Sequence, residues 1–236
     1  MHFLVTRPLE DADGLAHTLR ARGHTVTVDP LMSIVLHPEA PVTRTGLQAL
    51  LVTSANGLRA IMARADFPEW LKLPLFAVGP TTAAMARMAG FARVQEAGGD
   101  VLSLTELVKQ ELAADGGPLL HVAGTVSAGD LKGALKREGF WVERAVLYEA
   151  KPAEALSQET IEGLTSGEIK AVLLYSKRSA EIFADLCHLA GLQGALKNLN
   201  AYCLSANAAA PLQGIGLPAI HIASAPNETD LLALID

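Results

Sequence analysis

Four times along this chain an apolar run passes straight into a small, hydroxyl-bearing turn and then into a helical pattern. The segments are LLVTSANGLRA (Leu50 to Ala60), FAVGPTTAAMA (Phe76 to Ala86), AVLLYSKRSAEI (Ala171 to Ile182) and AYCLSANAAAPL (Ala201 to Leu212). A strand that feeds a helix through a short turn is half of a βαβ unit, and repeating it commits a chain to a mainly parallel sheet. The turns then share one edge, the carboxyl ends of the strands, where open α/β sheets bind ligands. Each helix start also presents unpaired backbone N–H groups and the positive end of the macrodipole, a local environment for carboxylate or phosphate. Several such turns point to a ligand with several negative groups. Ordinary helix capping accounts for any one of them equally well.

The alternation extends beyond the turns. His2 to Thr6 reads as a strand, Asp11 to Arg22 as a helix closed by Gly23, and Thr25 to Asp29 as the next strand. Further on, Leu119 to Ala123 reads as a strand, Ala128 to Glu138 as a helix stopped by Gly139, and Phe140 to Tyr148 as a long strand. GLAHTLRARGHTV (Gly14 to Val26) aligns with DLKGALKREGFWV (Asp130 to Val142), which suggests two related halves meeting near Gly116-Gly117-Pro118. Pro30 to Thr45 and Tyr148 to Ala155 read as connections. Two connections imply that one domain is inserted into another. Residues 1–35 with 153–236 form the expected first domain, 40–148 the inserted one, and 36–39 and 149–152 the linkers.

Composition sets the partners. Half of the 236 residues are hydrophobic and 19% are charged, as in a packed globular protein. A net charge of −6 leaves no basic stripe for nucleic acid, and no apolar run reaches membrane-spanning length. The opening MHFLVTRPLEDADG reads as a first strand instead of a signal peptide, and a cytoplasmic, monomeric protein is expected. Cys187 and Cys203 fit buried apolar positions in a reducing compartment, with no metal-binding spacing.

The chemistry-bearing residues cluster at the turns. Thr53, Ser54 and Asn56 sit where an N-cap belongs, as do Thr81 and Thr82 beside Gly79 and Pro80; Ser176 with Ser179, and Ser205 with Asn207, repeat the arrangement. Arg7, in LVTRP, ends the first strand, where a guanidinium can fork onto a carboxylate. Arg59, Lys177 and Arg178 are less distinctive. His2, His121 and His221 lie in or beside apolar strands and read as core or edge histidines. Gly214 to Ala219 matches a dinucleotide fingerprint only formally, since it precedes a strand and Pro218 removes a donor where a helix should begin. Tyr148 closes the long strand, where its hydroxyl can donate a proton or its ring can pack at a domain boundary.

Taken in order, LVTRP, VTSANGLRA, FAVGPTTAAMARMAG, GDLKGALKREGFWVERAVLYEA and ASAPNETDLLALI resemble the uroporphyrinogen-III synthase family across essentially the whole chain. The resemblance implies an α/β fold of two flavodoxin-like parallel-sheet domains joined by a two-stranded linker, with the active site in the inter-domain cleft. It implies a hydro-lyase that cyclises the linear tetrapyrrole hydroxymethylbilane, with inversion of ring D and loss of water, without cofactor or metal. Tyr148 matches the family tyrosine associated with departure of the hydroxyl. Thr53, Ser54, Gly79, Thr81, Thr82, Ser176 and Ser205 match ligand-facing turn positions, and Asn56, Gly124 and Arg7 complete the expected substrate contacts. The chain departs from the family where Lys177 follows Ser176, at Ser205-Ala206-Asn207, and near Thr125 and Val126, where an arginine is common. The alternative is a non-catalytic, two-lobed cytoplasmic protein that binds a small polyanion.

Overall fold

The apolar runs become strands buried on both faces, as parallel sheets require. The computed structural model describes residues 1–126 and 129–235. Its strands are β1 (His2–Val5), β2 (Thr25–Val28), β3 (Met32–Leu36), β4 (Ala49–Val52), β5 (Leu75–Ala77), β6 (Val94–Glu96), β7 (Leu119–Gly124), β8 (Val142–Pro152), β9 (Ala171–Leu174), β10 (Asn200–Cys203) and β11 (Ile220–Ile222). All four residues of β4 and of β9 are buried. Helices connect the strands, among them Ala55–Met62, Pro80–Met88, Val101–Glu111, Lys177–Leu189 and Glu228–Leu232.

Two sheets result. One has the order β11-β10-β9-β1-β2 and the other β3-β8-β7-β4-β5-β6. In the first, β1 runs parallel to β2 and β9, and β10 to β9 and β11. In the second, β4 runs parallel to β5 and β7, β5 to β6, and β7 to β8. Counted within its own sheet, the first follows the flavodoxin order 2-1-3-4-5. The second, counted from β4, follows 3-2-1-4-5 with β3 outside β8. Both are doubly wound, and each reverses direction once: between β1 and β9, and between β4 and β7.

Two compact units accompany the sheets: Met1–Ser33 with Lys151–Asp236, and Ile34–Ala150. The chain changes unit inside β3 and inside β8. Pro30 to Thr45 is thus more than a connection, because Met32–Leu36 is a strand. Tyr148 does not close its strand either; β8 continues to Pro152, whose missing N–H suits a strand end. Gly116 to Pro118 mark no unit boundary and lead into β7 within the second sheet. The helix expected from Ala128 is observed from Leu131 to Arg137, capped by Asp130; Ala128 lies outside the described residues.

Each sheet is covered by helices on two faces. Leu4, Val172, Leu174 and Cys203 share one apolar cluster of the first unit; Phe3, Val5, Leu173 and Tyr202 share the other. In the second unit, Leu50, Val52, Leu120 and Val122 face one cluster, and Ala49, Leu51 and Leu119 the opposite one. Among the described residues no helix is long and apolar enough to cross a membrane.

Cys187 and Cys203 are fully buried in the same cluster, and burial pushes both thiols up to about 12. Since thiolate is the reactive form, the native protein is expected to resist an aromatic disulfide reagent at pH 8 and to release two thiols in denaturant. Rapid labelling without denaturant would contradict this packing.

Candidate functional site

At the direction reversal of the second sheet, the carboxyl ends of β4 and β7 open a hollow of about 530 Å³. Its wall includes Thr53, Ser54, Asp100, Gly124 and Tyr148. Ser54 leaves β4 in extended conformation and caps the helix Ala55–Met62, its Oγ accepting from the Gly57 N–H at 3.2 Å. The same Oγ lies 2.8 Å from the Tyr148 hydroxyl. Asp100 caps Val101–Glu111 on another wall through a reciprocal pair with Ser103.

Tyr148 reaches this position because the β7–β8 ladder is irregular. Ala123 pairs with Val146, but Gly124 pairs with Tyr148, so Leu147 is skipped and turns into the core. A bulge of this kind re-aims the side chain that follows it. Gly124 completes the fit, since a Cβ there would lie 2.7 Å from Cε2 of the Tyr148 ring. The Arg144 guanidinium donates to the carbonyls of Gly124 and Thr125, fixing the end of β7.

Beside the hollow, Thr53 Oγ1 and His121 Nε2 are 3.4 Å apart. His121 is buried, and its Nδ1 has no hydrogen-bond partner among the described residues. Burial, aided by the Arg144 charge, lowers its pKa to about 4, so the ring is neutral near pH 7. It is a core histidine, as its apolar strand suggests.

The reversal of the first sheet gathers a different set. Arg7, just past β1, donates to Glu228 Oε2 at 2.7 Å, lies 3.4 Å from Asp11 Oδ2, and stacks its guanidinium 4.4 Å from the Tyr175 ring centroid. The Tyr175 hydroxyl donates to the same Glu228 oxygen at 3.0 Å. Burial and the Glu228 charge hold the Tyr175 phenol well above its ordinary pKa. Ser176, next in sequence, caps Lys177–Leu189 in a reciprocal pair with Ser179. Ser205 caps Ala206–Ala209 through the Ala208 N–H.

The structure brings Ser54, Gly124, Thr53 and Tyr148 together, and Arg7 with the turn preceding Ser176. It separates the cap readings of other residues. Asn56 lies inside its helix and accepts from Arg59 at 2.6 Å. At the Gly79 turn the glycine itself is the cap residue and Pro80 opens the helix, so Thr81 is exposed on the first turn and Thr82 is buried. Asn207 and Ser179 lie within helices, where Ser179 is the capping partner and not the cap. Tyr175, Glu228 and Asp100 join these edges without belonging to the residues that the turns and strand ends single out in the sequence. Tyr175 adjoins Ser176, and Asp100 stands three residues before Ser103 in capping spacing; either signal marks the position. Glu228 comes from the far end of the chain and left no local signal. Among the described residues, no group of three or more His, Cys, Asp or Glu is placed to hold a metal ion.

Residues 13–233 match the model of the family described as uroporphyrinogen-III synthase HemD. No curated protein sequence matches the chain. Among solved structures it is similar to uroporphyrinogen-III synthetase from Helicobacter pylori, with TM-score 0.69 and 19% identity, covering 100% of this chain and 98% of that one. It is also similar to a mutant uroporphyrinogen III synthase from the extremely thermophilic bacterium Thermus thermophilus, with TM-score 0.58 and 19% identity, covering 100% and 97%. At these identities the structural likeness establishes the fold, two parallel-sheet α/β domains.

Two outcomes follow from the geometry. Gly124→Ala must displace the Tyr148 ring, and urea unfolding is expected to show a loss of about 1–3 kcal/mol; unchanged stability would mean the ring has room to move. For His121 the folded pKa lies below the unfolded value near 6.5, so the unfolded state binds more protons between those values. Stability is therefore retained above about pH 6.5 and lost as pH falls toward 4. His121→Gln is expected to reduce the stability difference between pH 7 and pH 4.5 by about 2–3 kcal/mol. An identical pH profile for both proteins would place the buried charge cost elsewhere.

Proposed function

We propose, from the premise that this chain belongs to the uroporphyrinogen-III synthase family over residues 13–233, that it cyclises hydroxymethylbilane to the type III isomer and releases water, as a hydro-lyase of tetrapyrrole (haem) biosynthesis. The observation that carries the mechanism is the Tyr148 hydroxyl, 2.8 Å from the Ser54 hydroxyl in the lining of the hollow at the carboxyl ends of β4 and β7.

The chemistry asks little of strong acids or bases. The terminal carbon–oxygen bond of the bilane breaks, its electron pair leaves on oxygen, and a proton from Tyr148 makes the leaving group water. The carbon left behind is an azafulvene-like cation. Selecting the ring carbon that attacks it is a matter of holding the chain in one conformation, which is catalysis by positioning. Ring closure then releases a proton, which returns Tyr148 to its neutral form. Proton count and charge balance over the turnover.

Positioning falls to the substrate's carboxylates. In this reading Thr53, Asn56, Gly79, Thr81, Gly124 and the backbone of the Ser54 turn are the anion-binding positions of the second unit, and Ser176, Ser205 and Arg7 those of the first, while Thr82 is buried and takes no part. Helix starts support it, since N–H groups and hydroxyls satisfy carboxylates without fixed positive charge. Arg7 is the cationic contact, its orientation set by Asp11, Glu228 and Tyr175. The protein is assigned to the cytoplasm as a monomer, with no nucleic-acid or membrane partner and no cofactor.

Purified protein supplied with freshly generated hydroxymethylbilane is expected to give the type III isomer, resolved chromatographically after oxidation. Type I product alone, which forms spontaneously, would defeat the reading. Tyr148→Phe is expected to lower kcat about a hundredfold, at the low end for a general acid, with a smaller change in KM. Unchanged kcat would return Tyr148 to a packing role.

A further inference from the structure

The Ser54 hydroxyl does more than cap a helix, because its oxygen is shared between two partners. One is the Gly57 N–H, 3.2 Å away, at the start of the eight-residue helix Ala55–Met62. The other is the Tyr148 hydroxyl at 2.8 Å. A serine oxygen has two lone pairs and one proton. With one lone pair given to Gly57, its proton remains available for the phenol oxygen of Tyr148. An oxygen that accepts a hydrogen bond becomes a better donor, so the chain Gly57 N–H, Ser54 O–H, Tyr148 O is polarised in one direction. Gly124 lies close enough to the ring that a Cβ there would meet Tyr148 Cε2 and Cζ, which limits where the phenol oxygen can go.

We infer that Ser54 is a positioning residue for the reaction: its hydroxyl donates a hydrogen bond to the Tyr148 oxygen, which strengthens as that oxygen loses its own proton to the departing hydroxyl. This rests on the reading of Tyr148 as the proton donor. When the substrate's carbon–oxygen bond breaks, the phenol proton moves to the leaving oxygen and the phenolate keeps the electron pair. Ser54 then supplies a hydrogen bond to that phenolate, itself supported by the Gly57 N–H and the positive end of the helix dipole. Ser54 keeps its own covalent proton throughout, so the proton count of the turnover is unaltered.

Capping and proton donation can be separated, because an aspartate caps a helix as well as a serine but has no proton to give at neutral pH. The carboxylate of Ser54→Asp can only accept, and so retains the Tyr148 proton. Ser54→Asp is expected to keep the thermal unfolding midpoint near that of the parent and to lower kcat about tenfold, the worth of one hydrogen bond near 1.4 kcal/mol. Its added charge raises KM as well, so kcat is the deciding readout. Ser54→Ala removes both functions and provides a second entry to the same test if the aspartate variant folds poorly. The decisive comparison repeats both substitutions in the Tyr148→Phe background, where neither should lower kcat further. Equal losses of kcat in both backgrounds, or no loss in either, would overturn the inference while leaving Tyr148 as donor. An unaltered kcat for Tyr148→Phe alone would remove that reading, and the inference with it.

Discussion

A parallel strand buried on both faces satisfies its backbone through its neighbours, and the first unpaired groups appear where strand becomes helix. That constraint organises both units. Their strands are apolar almost throughout, so polar chemistry is confined to the carboxyl edge, where Thr53, Ser54, Gly124 and Tyr148 lie in one unit and Arg7, Tyr175 and Ser176 in the other. Each doubly wound sheet opens at this edge, where its strand order reverses and successive helices diverge to opposite faces.

The two edges have different electrostatics. The second unit offers hydroxyls, helix starts and a neutral buried histidine, with Arg144 committed to the carbonyls of Gly124 and Thr125. The first places a guanidinium between two carboxylates and over an aromatic ring. Its single charge is shared by two carboxylates, and its long side chain is paired on both sides.

Strand and helix positions were readable because two-faced burial writes itself as continuous apolar runs, and because Gly23 and Gly139 end their helices at positive φ. β3 was obscured by the prolines around it and by its half-buried pattern, which resembles a connection. The hydroxyl-bearing turns were legible as caps, but their local spacing did not distinguish Ser54, which caps, from Asn56 two residues later. Tyr148 could be named but not placed. Its position depends on a register shift between Ala123 and Gly124, set by the pairing of β7 with β8 and not by either strand alone. Glu228 was invisible for a related reason: it meets Arg7 across 221 residues of chain.

The carboxyl edge around Tyr148 is proposed as the place where the tetrapyrrole reacts. A crystal structure with the cyclised product bound under anaerobic conditions tests it most directly. Product is expected in the hollow at Ser54, Gly124 and Tyr148, with the Tyr148 hydroxyl facing the macrocycle and side-chain carboxylates at the turns that open the helices. Product bound to another surface, with this hollow unoccupied, would contradict it.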